Sequence, residues 1–313
     1  VTLDHYAFGN INVTGTLTVN GNLTLTSMSA INGGTITVAG NVTSTDVSVG
    51  GTTAITLNGT GAQTITATGA DFPDGTFTIN KASGTATLAS ALSVNATGQD
   101  LTITSGTLDL AGKNLTVNDV LTIGASGTLQ LQGGETVSVT PTINAGGTVI
   151  YNGTAASYTL KNWSYSNLTI NGGASTVFSF PANLTTINTL ALNNSITSLA
   201  GFNLTATTLV NNATLRLRGT ETVTITTMDT DSGTVEYVGR NIAETITIKD
   251  FGANDYYNLT INDTNTTKAT FASGAGPTTA TSTSGFVLRR GLSYLRSYPF
   301  TLYGGPGGLP PGR

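Results

Sequence analysis

Three pairs of aspartates have the chemistry and spacing of a carboxylate site: Asp71 with Asp74, Asp229 with Asp231, and Asp250 with Asp255. A β-helix that cleaves polysaccharides needs two or three convergent carboxylates, and calcium needs a cluster of oxygen ligands. Asp also caps turns with its own side chain, and Asp71-Phe-Pro-Asp74-Gly75 is turn-like. We therefore interpret the pairs as turn residues. They predict no cofactor, with calcium at Asp229 and Asp231 as a weak alternative.

Other reactive groups are scarce in the sequence. His5 is the single histidine, Cys is absent, and the chain has no Gly-x-Ser-x-Gly or Walker-type pattern. Glu135 and Glu221 recur at the spacing of an internal repeat, which indicates a structural role in each copy. The sequence therefore predicts a protein that is not an enzyme.

The composition is neutral and rich in β-forming residues. Charged residues are 9% of the 313, where globular domains average about 25%. The net charge of −4 and the lack of a basic face argue against a nucleic-acid partner. No apolar stretch reaches the roughly 18 residues of a transmembrane helix, so no membrane span is expected. The start at Val1 fits either an excised segment or a mature chain whose leader was cleaved.

The dominant local pattern is an apolar-Thr-apolar triplet after Gly or Asn. Examples are Leu17-Thr18-Val19, Leu101-Thr102-Ile103 and Leu168-Thr169-Ile170. Alternation with period two predicts short strands whose apolar residues point inward and whose Thr points outward. No segment of ten or more residues has a helical stripe.

A longer repeat is visible by direct comparison. The segment 129–137 matches 215–223, and 147–153 matches 233–239, both at an offset of 86 residues; 167–171 matches 258–262 at an offset of 91. Stacked units that cannot bury an apolar face alone produce such repeats. We predict an all-β fold, a right-handed parallel β-helix or β-solenoid with specialised termini, of roughly eleven to thirteen coils, each with three strands and roughly 20 to 25 residues. Tandem β-sandwich modules of roughly 90 to 100 residues are the alternative.

Two phrases of the chain carry a resemblance to known proteins. Val13-Thr-Gly-Thr-Leu-Thr-Val-Asn-Gly-Asn-Leu-Thr-Leu25 and Ser105-Gly-Thr-Leu-Asp-Leu-Ala-Gly-Lys-Asn-Leu-Thr-Val117 resemble β-solenoid repeats of bacterial and archaeal extracellular surface proteins and adhesins. Phage tail fibres contain similar phrases. The resemblance covers roughly residues 10 to 273 and implies an architecture; it assigns no functional residue.

The ends differ from the body in composition. We expect a cap or contact segment at 1–10, a solenoid body at 11–273, a Thr/Ser linker at 274–284 and an aromatic, Arg-bearing tail at 285–313 that contacts another subunit. Such contacts would build a head-to-tail homopolymer. The candidate contact residues are Tyr6, Phe8, Phe286, Arg289, Arg290, Tyr298, Phe300 and Tyr303.

Asn-x-Ser/Thr sequons are frequent, partly because a turn Asn often precedes Leu-Thr. The candidate glycosylation sites are Asn12, Asn22, Asn41, Asn114, Asn152, Asn167, Asn183, Asn203 and Asn258. We expect an extracellular protein, secreted or at the cell surface, that is a self-assembling subunit of a filament, sheath or layer, or an adhesin stalk. Surface glycans are a candidate partner. The alternative is a carbohydrate-binding or polysaccharide-degrading β-helix such as a phage tailspike-like protein.

Overall fold

The fold is a right-handed parallel β-solenoid of about twelve turns, as predicted. A computed structural model describes residues 1–4, 10–26, 30–45, 49–68, 71–229, 231–240, 245–249, 251, 256–262, 268–271 and 282–289. Within these ranges there are strands and turns and no helix. The chain divides into two compact units, Val1–Gly153 with Tyr165–Asn167, and Thr154–Ser164 with Leu168–Arg313.

The first sixteen strands lie in the first unit. They are β1 (Thr2–Asp4), β2 (Asn10–Asn12), β3 (Thr16–Val19), β4 (Leu23–Thr26), β5 (Ala30–Asn32), β6 (Thr35–Val38), β7 (Val42–Ser44), β8 (Ala54–Leu57), β9 (Gln63–Ala67), β10 (Phe77–Leu88), β11 (Leu92–Val94), β12 (Leu101–Asp109), β13 (Leu115–Val117), β14 (Leu121–Leu131), β15 (Thr142–Ile143) and β16 (Thr148–Tyr151).

The remaining strands belong to the second unit, apart from the first residue of β18. They are β17 (Ser157–Thr159), β18 (Asn167–Asn171), β19 (Val177–Ser179), β20 (Leu184–Asn194), β21 (Ile196–Ser198), β22 (Leu204–Asn211), β23 (Thr214–Leu217), β24 (Val223–Met228), β25 (Thr234–Tyr237), β26 (Thr245–Ile248), β27 (Tyr256–Asn262), β28 (Lys268–Phe271) and β29 (Ser282–Arg289).

Three stacked sheets make up the first unit, and each strand pairs in parallel with its equivalent one coil later. Sheet A contains β3, β6, β8, the first halves of β10, β12 and β14, and then β15. Sheet B contains β1, β4, β7, β9, the second halves of the same three long strands, and then β16. Sheet C contains the pairs β2–β5 and β11–β13.

The second unit repeats this plan. One sheet runs from β17 through β19, β21, β23, β25 and β27 to β29. The strands β18, β20, β22 and β24 follow one another in a second sheet, and β26 pairs with β28 in a third. The separation of paired residues ranges from 18, between Ile196 and Thr214, to 27, between Asn258 and Gly285. These values bracket the coil length of roughly 20 to 25 residues that the sequence predicted.

The interior consists of columns of apolar side chains at the alternate positions that the sequence predicted to point inward. Val19, Val38 and Leu57 follow one another in register and are fully buried. The column continues through Ile79, Ile103 and Ile123. Burying each such side chain stabilises the fold by about 1.5 to 3 kcal/mol. The inward–outward assignment of the triplets is confirmed, because Leu168 is buried while Thr169 is only half-buried.

The described parts of the two ends differ from the sequence-based division into segments. β1 pairs with β4, so residues 2–4 already belong to the stack. β29 pairs with β27 of the same chain, which places Phe286 opposite Leu259 and Arg289 opposite Asn262. Residues 282–289, which the sequence analysis divided between the linker and the tail, form one strand of the stack. The Ser/Thr run continues the period-two pattern of the body, and Thr suits a strand as well as a linker.

The other expected contact residues, Tyr6, Phe8, Arg290, Tyr298, Phe300 and Tyr303, lie outside the described residues. His5 lies outside them too. In the part of the chain that is described, no helix is long and apolar enough to cross a membrane.

Candidate functional site

Two copies of one turn organise polar contacts in the interior, one copy in each unit. Leu110-Ala111-Gly112 and Leu199-Ala200-Gly201 have the same sequence. Ala111 and Ala200 adopt φ values of 48° and 55°, and the glycines that follow adopt 77° and 96°. A left-handed backbone costs an Ala roughly 1–2 kcal/mol. The turn aims the N–H of its glycine at a buried carboxylate, and this contact offsets part of the cost.

In the first unit this carboxylate belongs to Glu135, which is 2% exposed. Its Oε1 accepts hydrogen bonds from the backbone N–H groups of Gly112 at 3.0 Å and Gln132 at 2.7 Å, and its Oε2 accepts one from Gly133 at 2.7 Å. Hydrogen bonds to an ionised carboxylate are roughly twice as strong as neutral ones. Glu135 thus fixes its own turn and joins that turn to the preceding coil.

Glu221 does the same in the second unit, where it is 1% exposed. Its Oε1 accepts from the N–H groups of Gly201 at 3.1 Å and Arg218 at 2.7 Å, and its Oε2 accepts from Gly219 at 2.8 Å. These contacts confirm the structural role that the repeat of Glu135 and Glu221 indicated. Carboxylates held by backbone donors in this way are anchors between coils.

A pair of buried tyrosines accompanies the first copy. The hydroxyls of Tyr151 and Tyr165 are 2.9 Å apart, and their rings meet edge to face with centroids 6.5 Å apart. Burial, the charge of an ionised Tyr151 and the hydrogen bond between the two hydroxyls all raise the pKa of Tyr165 above its usual value. The phenol of Tyr165 is therefore neutral in the folded protein at physiological pH.

The second copy has an equivalent pair. The hydroxyls of Tyr237 and Tyr256 are 3.0 Å apart, the N–H of Lys249 donates to Tyr237, and the hydroxyl of Tyr256 donates to the carbonyl of Lys249. The sequence comparison recognised the match of Tyr151 with Tyr237 but missed that of Tyr165 with Tyr256. The signal was present, because both residues lie two positions before the repeated Asn-Leu-Thr-Ile-Asn segment.

A groove of about 280 Å³ lies on the outer face of β21, β23, β25 and β27 in the second unit. Arg216 Nε is 2.8 Å from Glu236 Oε2, and Asn262 Nδ2 donates to Glu236 Oε1 at 2.8 Å. The other lining residues are Ile196, Thr214, Thr234 and Thr260. The groove therefore offers one balanced ion pair among hydroxyl, amide and methyl groups.

The first copy lacks this ion pair. Gln130 and Ile150 occupy the positions that correspond to Arg216 and Glu236, and they pair across adjacent strands in the same way. Both copies fold into the same coils, so the architecture does not require the two charges. They are the clearest chemical difference between the copies, which makes the groove the best candidate for a ligand site.

The first unit contains a second polar cluster, centred on Lys81, which is 1% exposed. Its Nζ donates to the carbonyls of Gly59 and Gly61 and to Gln63 Oε1. Gln63 in turn donates from Nε2 to the carbonyl of Val38 at 3.0 Å. Burial lowers the pKa of the Lys81 amine. Sequence analysis did not single out Lys81, because nothing in its local pattern separates an inward-facing Lys from an outward one.

The described aspartates of the pairs considered first, Asp71, Asp74, Asp229 and Asp231, lie between strands. Asp71 Oδ1 accepts from the N–H of Phe72 at 2.8 Å, and Asp74 Oδ2 accepts from the N–H of Gly51 at 3.2 Å. Burial raises the pKa of Asp71; the Phe72 hydrogen bond opposes this effect and the charge of Asp74 adds to it. Asp229 Oδ1 accepts from the N–H of Asp231 at 3.0 Å. These contacts fit the interpretation of the described pairs as turn residues.

Asp250 and Asp255 lie outside the described residues. Among the residues that the structure does describe, no three of His, Cys, Asp and Glu come together as a metal site would require.

Most of the sequon asparagines form ladders between coils. The side-chain oxygens of Asn22, Asn41, Asn114, Asn183 and Asn203 each accept a hydrogen bond from a backbone N–H one coil later, at 2.8 to 2.9 Å. An Asn before Leu-Thr thus extends the ladder at a corner where no strand carbonyl is available. This contact accounts for the Asn-Leu-Thr segments that begin at Asn22, Asn114, Asn183 and Asn203.

The other sequon asparagines differ in their contacts. Asn167 and Asn258 donate from Nδ2 to the carbonyls of Gly146 and Gly233, at 2.9 and 3.0 Å. Asn12 is exposed on β2. Asn152 Oδ1 is buried and accepts no hydrogen bond within the described part of the chain.

We predict that Glu221→Ala destabilises the fold by about 3 kcal/mol or more, because it leaves the buried N–H of Gly219 and the part-buried N–H groups of Gly201 and Arg218 without an acceptor. Glu236→Ala is the matched control in the same unit, and its partly exposed ion pair with Arg216 is worth about 1 kcal/mol or less. The measurement is the midpoint of urea unfolding. Equal midpoints for the two variants would contradict the anchoring role of Glu221.

The tyrosine pair predicts a loss of stability in alkali. A phenol in the unfolded chain ionises near about pH 10. Because the pKa of Tyr165 is raised in the folded state, its contribution to stability is complete below that pH and is lost as the pH rises above it. Tyr165→Phe should therefore be less stable than the parent by about 1 kcal/mol at neutral pH, through the lost hydrogen bond.

This difference should shrink as the pH rises above about 10, since Phe has no proton to lose. Urea unfolding of both proteins across this pH range measures the difference directly. A constant difference would show that Tyr165 does not titrate with unfolding.

Comparison with protein-family models, with curated proteins and with solved structures finds no significant match to the chain.

Proposed function

We propose that the chain is an extracellular structural protein, a self-assembling subunit of a surface filament, sheath or layer, or the stalk of an adhesin. The observation that carries the proposal is the use of the buried ionic groups. Glu135 and Glu221 accept backbone N–H groups, and Lys81 donates to backbone carbonyls and to one glutamine. Ionic groups arranged in this way hold successive coils together, as a structural element requires.

The outer surface supports the same proposal. The chain has a low charge density, with 9% charged residues, and its outer positions in the described strands are rich in Thr. Stacked coils gain stability with each added neighbour, so a solenoid is suited to bearing load or spanning distance. A neutral surface also limits repulsion between copies that pack side by side.

The first described coil offers a surface for self-association. Within the described residues, β1, β2 and β3 each pair with a strand on one side, and the backbone groups of the other side have no strand partner among these residues. Open strand edges pair readily with another chain, and a head-to-tail contact that does not close builds a fibre. The occupant we propose is the last coil of a second copy, added as parallel strands.

Glycosylation of the ladder asparagines is compatible with their contacts. N-glycans are attached at Nδ2, whereas Asn22, Asn41 and Asn114 use Oδ1 to bind the next coil and are exposed. Glycans at these corners would add a hydrated layer without breaking the ladder. We propose these residues as acceptors of surface glycans if the chain passes through a glycosylating secretory route.

The assembly proposal predicts that positive charges on the open edge weaken association, because Lys on an edge strand discourages pairing. Asn12→Lys with Thr16→Lys places two charges on exposed edge positions. Thr116→Lys, on an exposed position of the interior strand β13, is the control. Light scattering after size exclusion and negative-stain microscopy should show polymers for the parent and the control, and smaller species for the edge variant. A parent protein that stays monomeric at all concentrations would contradict the proposal.

A second candidate function, carbohydrate binding, is favoured by the groove. A neutral oligosaccharide offers hydroxyls that can both donate to Glu236 and accept from Arg216, while Thr214, Thr234 and Thr260 add further hydroxyls. The balanced charge of the pair suits an uncharged ligand better than an anion.

The residues at the equivalent positions of the first copy define a variant that tests carbohydrate binding. Arg216→Gln with Glu236→Ile installs the residues of the equivalent positions, so the fold should persist. Glycan-array and calorimetric binding should decrease at least tenfold for this double variant. Gln130→Ala in the first unit is the control and should bind like the parent. No binding by the parent, or equal binding by the double variant, would reject the groove as a sugar site.

A further inference from the structure

Five Asn-Gly pairs give the chain a chemistry that needs no catalyst. In such a pair the backbone nitrogen of the glycine attacks Cγ of the Asn side chain, ammonia leaves, and a succinimide ring forms. Water then opens the ring to Asp or to isoaspartate, whose main chain runs through the former side chain. Glycine favours the attack because it has no Cβ to hinder its nitrogen or to restrict its backbone. The pairs begin at Asn20, Asn32, Asn58, Asn152 and Asn171.

Two features of the fold control this reaction at each pair. The glycine nitrogen must lose its proton before it attacks, so a hydrogen bond that its N–H donates opposes the reaction. The backbone must also bend until the nitrogen reaches Cγ, and close packing prevents such a movement. The reactive pair is therefore the one whose glycine is exposed and has a free N–H group.

Asn20-Gly21, in the bend after β3, meets both conditions. Both residues are exposed. Within the described part of the chain the N–H of Gly21 has no acceptor, while the carbonyl of Gly21 accepts from the N–H of Gly40 at 3.0 Å. A Cβ atom added at Gly21 would have no atom within 4 Å, so the backbone has room to move on that side.

Asn58-Gly59 occupies the same corner two coils later, because β3, β6 and β8 pair in register. Asn58 is exposed like its equivalent, but Gly59 is buried. The N–H of Gly59 donates to Gln63 Oε1 at 3.0 Å, and the carbonyl of Gly59 accepts from Lys81. A Cβ atom added at Gly59 would lie 2.0 Å from the carbonyl oxygen of Ala39, so this turn is closely packed. The same two residues thus have opposite environments at equivalent positions.

The other three pairs each lack one of the two conditions. Gly33 is exposed, but its N–H donates to Thr52 Oγ1 at 3.0 Å. Gly153 and Gly172 are buried. All five pairs lie within the described residues, and among them only Asn20-Gly21 combines an exposed glycine with a free N–H group.

We propose that Asn20 is a site of spontaneous deamidation, and that Thr52 and Gln63 protect Asn32 and Asn58 from the same reaction. Each event consumes one water molecule, releases one ammonia molecule and replaces the side-chain amide by a carboxyl group, without an oxidant or a cofactor. Isoaspartate also adds one atom to the main chain. At Asn58 this extra atom would disturb the register of β8 with both of its neighbours. The polar cluster of Gln63 and Lys81 therefore protects the turn in addition to holding coils together.

The test incubates the purified chain in mildly alkaline buffer and follows each Asn by peptide mapping with mass spectrometry. In the folded chain, Asn20 should react at least about fivefold faster than Asn32 and Asn58, since a hydrogen bond of about 1 kcal/mol corresponds to that factor. Separate chromatographic peaks for the Asp and isoaspartate peptides should identify the succinimide route.

The same chain in urea is the control, because unfolding removes both the hydrogen bonds and the packing, and there the three rates should become similar. The proposal is overturned if Asn32 or Asn58 reacts as fast as Asn20 in the folded chain, if the ratio of rates persists in urea, or if Asn20 yields Asp without isoaspartate.

Thr52→Val tests the protection directly, because it removes the acceptor hydroxyl and keeps the shape of an exposed side chain. The rate at Asn32 should rise about fivefold, while the rate at Asn20 should not change. Thr116→Val, at an exposed position of β13, is the matched control and should leave every rate as in the parent. Thermal melts monitored by circular dichroism verify that both variants are folded during the incubation. An unchanged rate at Asn32 in folded Thr52→Val would overturn the protective role of this hydrogen bond.

Discussion

The parallel register between coils, which shifts at only a few irregular positions, is the constraint on which the rest of the structure depends. A coil of about 20 residues is too thin to bury its own apolar face, so it is stable only against its neighbours. Because each strand pairs residue for residue with the next, a position contacts its own equivalent one coil away. Val19 therefore meets Val38, and Thr18 meets Thr37. Equivalent residues of successive coils therefore form columns. Insertions and deletions fit at the corners between strands, where they do not disturb the pairing.

The same constraint dictates how polar groups enter the interior. The inward columns leave little room for water, so a buried charge must find partners in the chain itself. Glu221 meets this need with backbone N–H groups that the turn at Gly201 directs toward it. Lys81 meets it with carbonyls, and its lowered pKa shows that burial still acts against the charged form. Both residues link neighbouring coils, so the contacts that satisfy a buried charge also hold the stack together.

Much of the fold could be predicted from the sequence because the inward and outward columns appear in it as an alternation of apolar residues and Thr. The triplet at Leu168-Thr169-Ile170 gave the inward and outward positions, and the spacing of such triplets gave the coil length. The buried position of Lys81 could not be predicted, since an inward Lys depends on carbonyls supplied by a neighbouring coil. The strand at 282–289 was missed because a Ser/Thr run suits a linker as well as an outer column. The Tyr165 contact required matching residues at two different offsets, 86 and 91.

In such a fold, the residue types of the outer columns are the ones that a function can determine. Folding fixes the inward positions, and it tolerates wide variation outside, as Asp109, Gln130 and Ile150 demonstrate on sheet B. A change between equivalent copies carries the most information, as at Arg216 and Glu236, whose counterparts in the first unit are Gln130 and Ile150. A structural role for the coils accommodates such a change, because a stack that satisfies its own interior leaves its outer faces free to diverge.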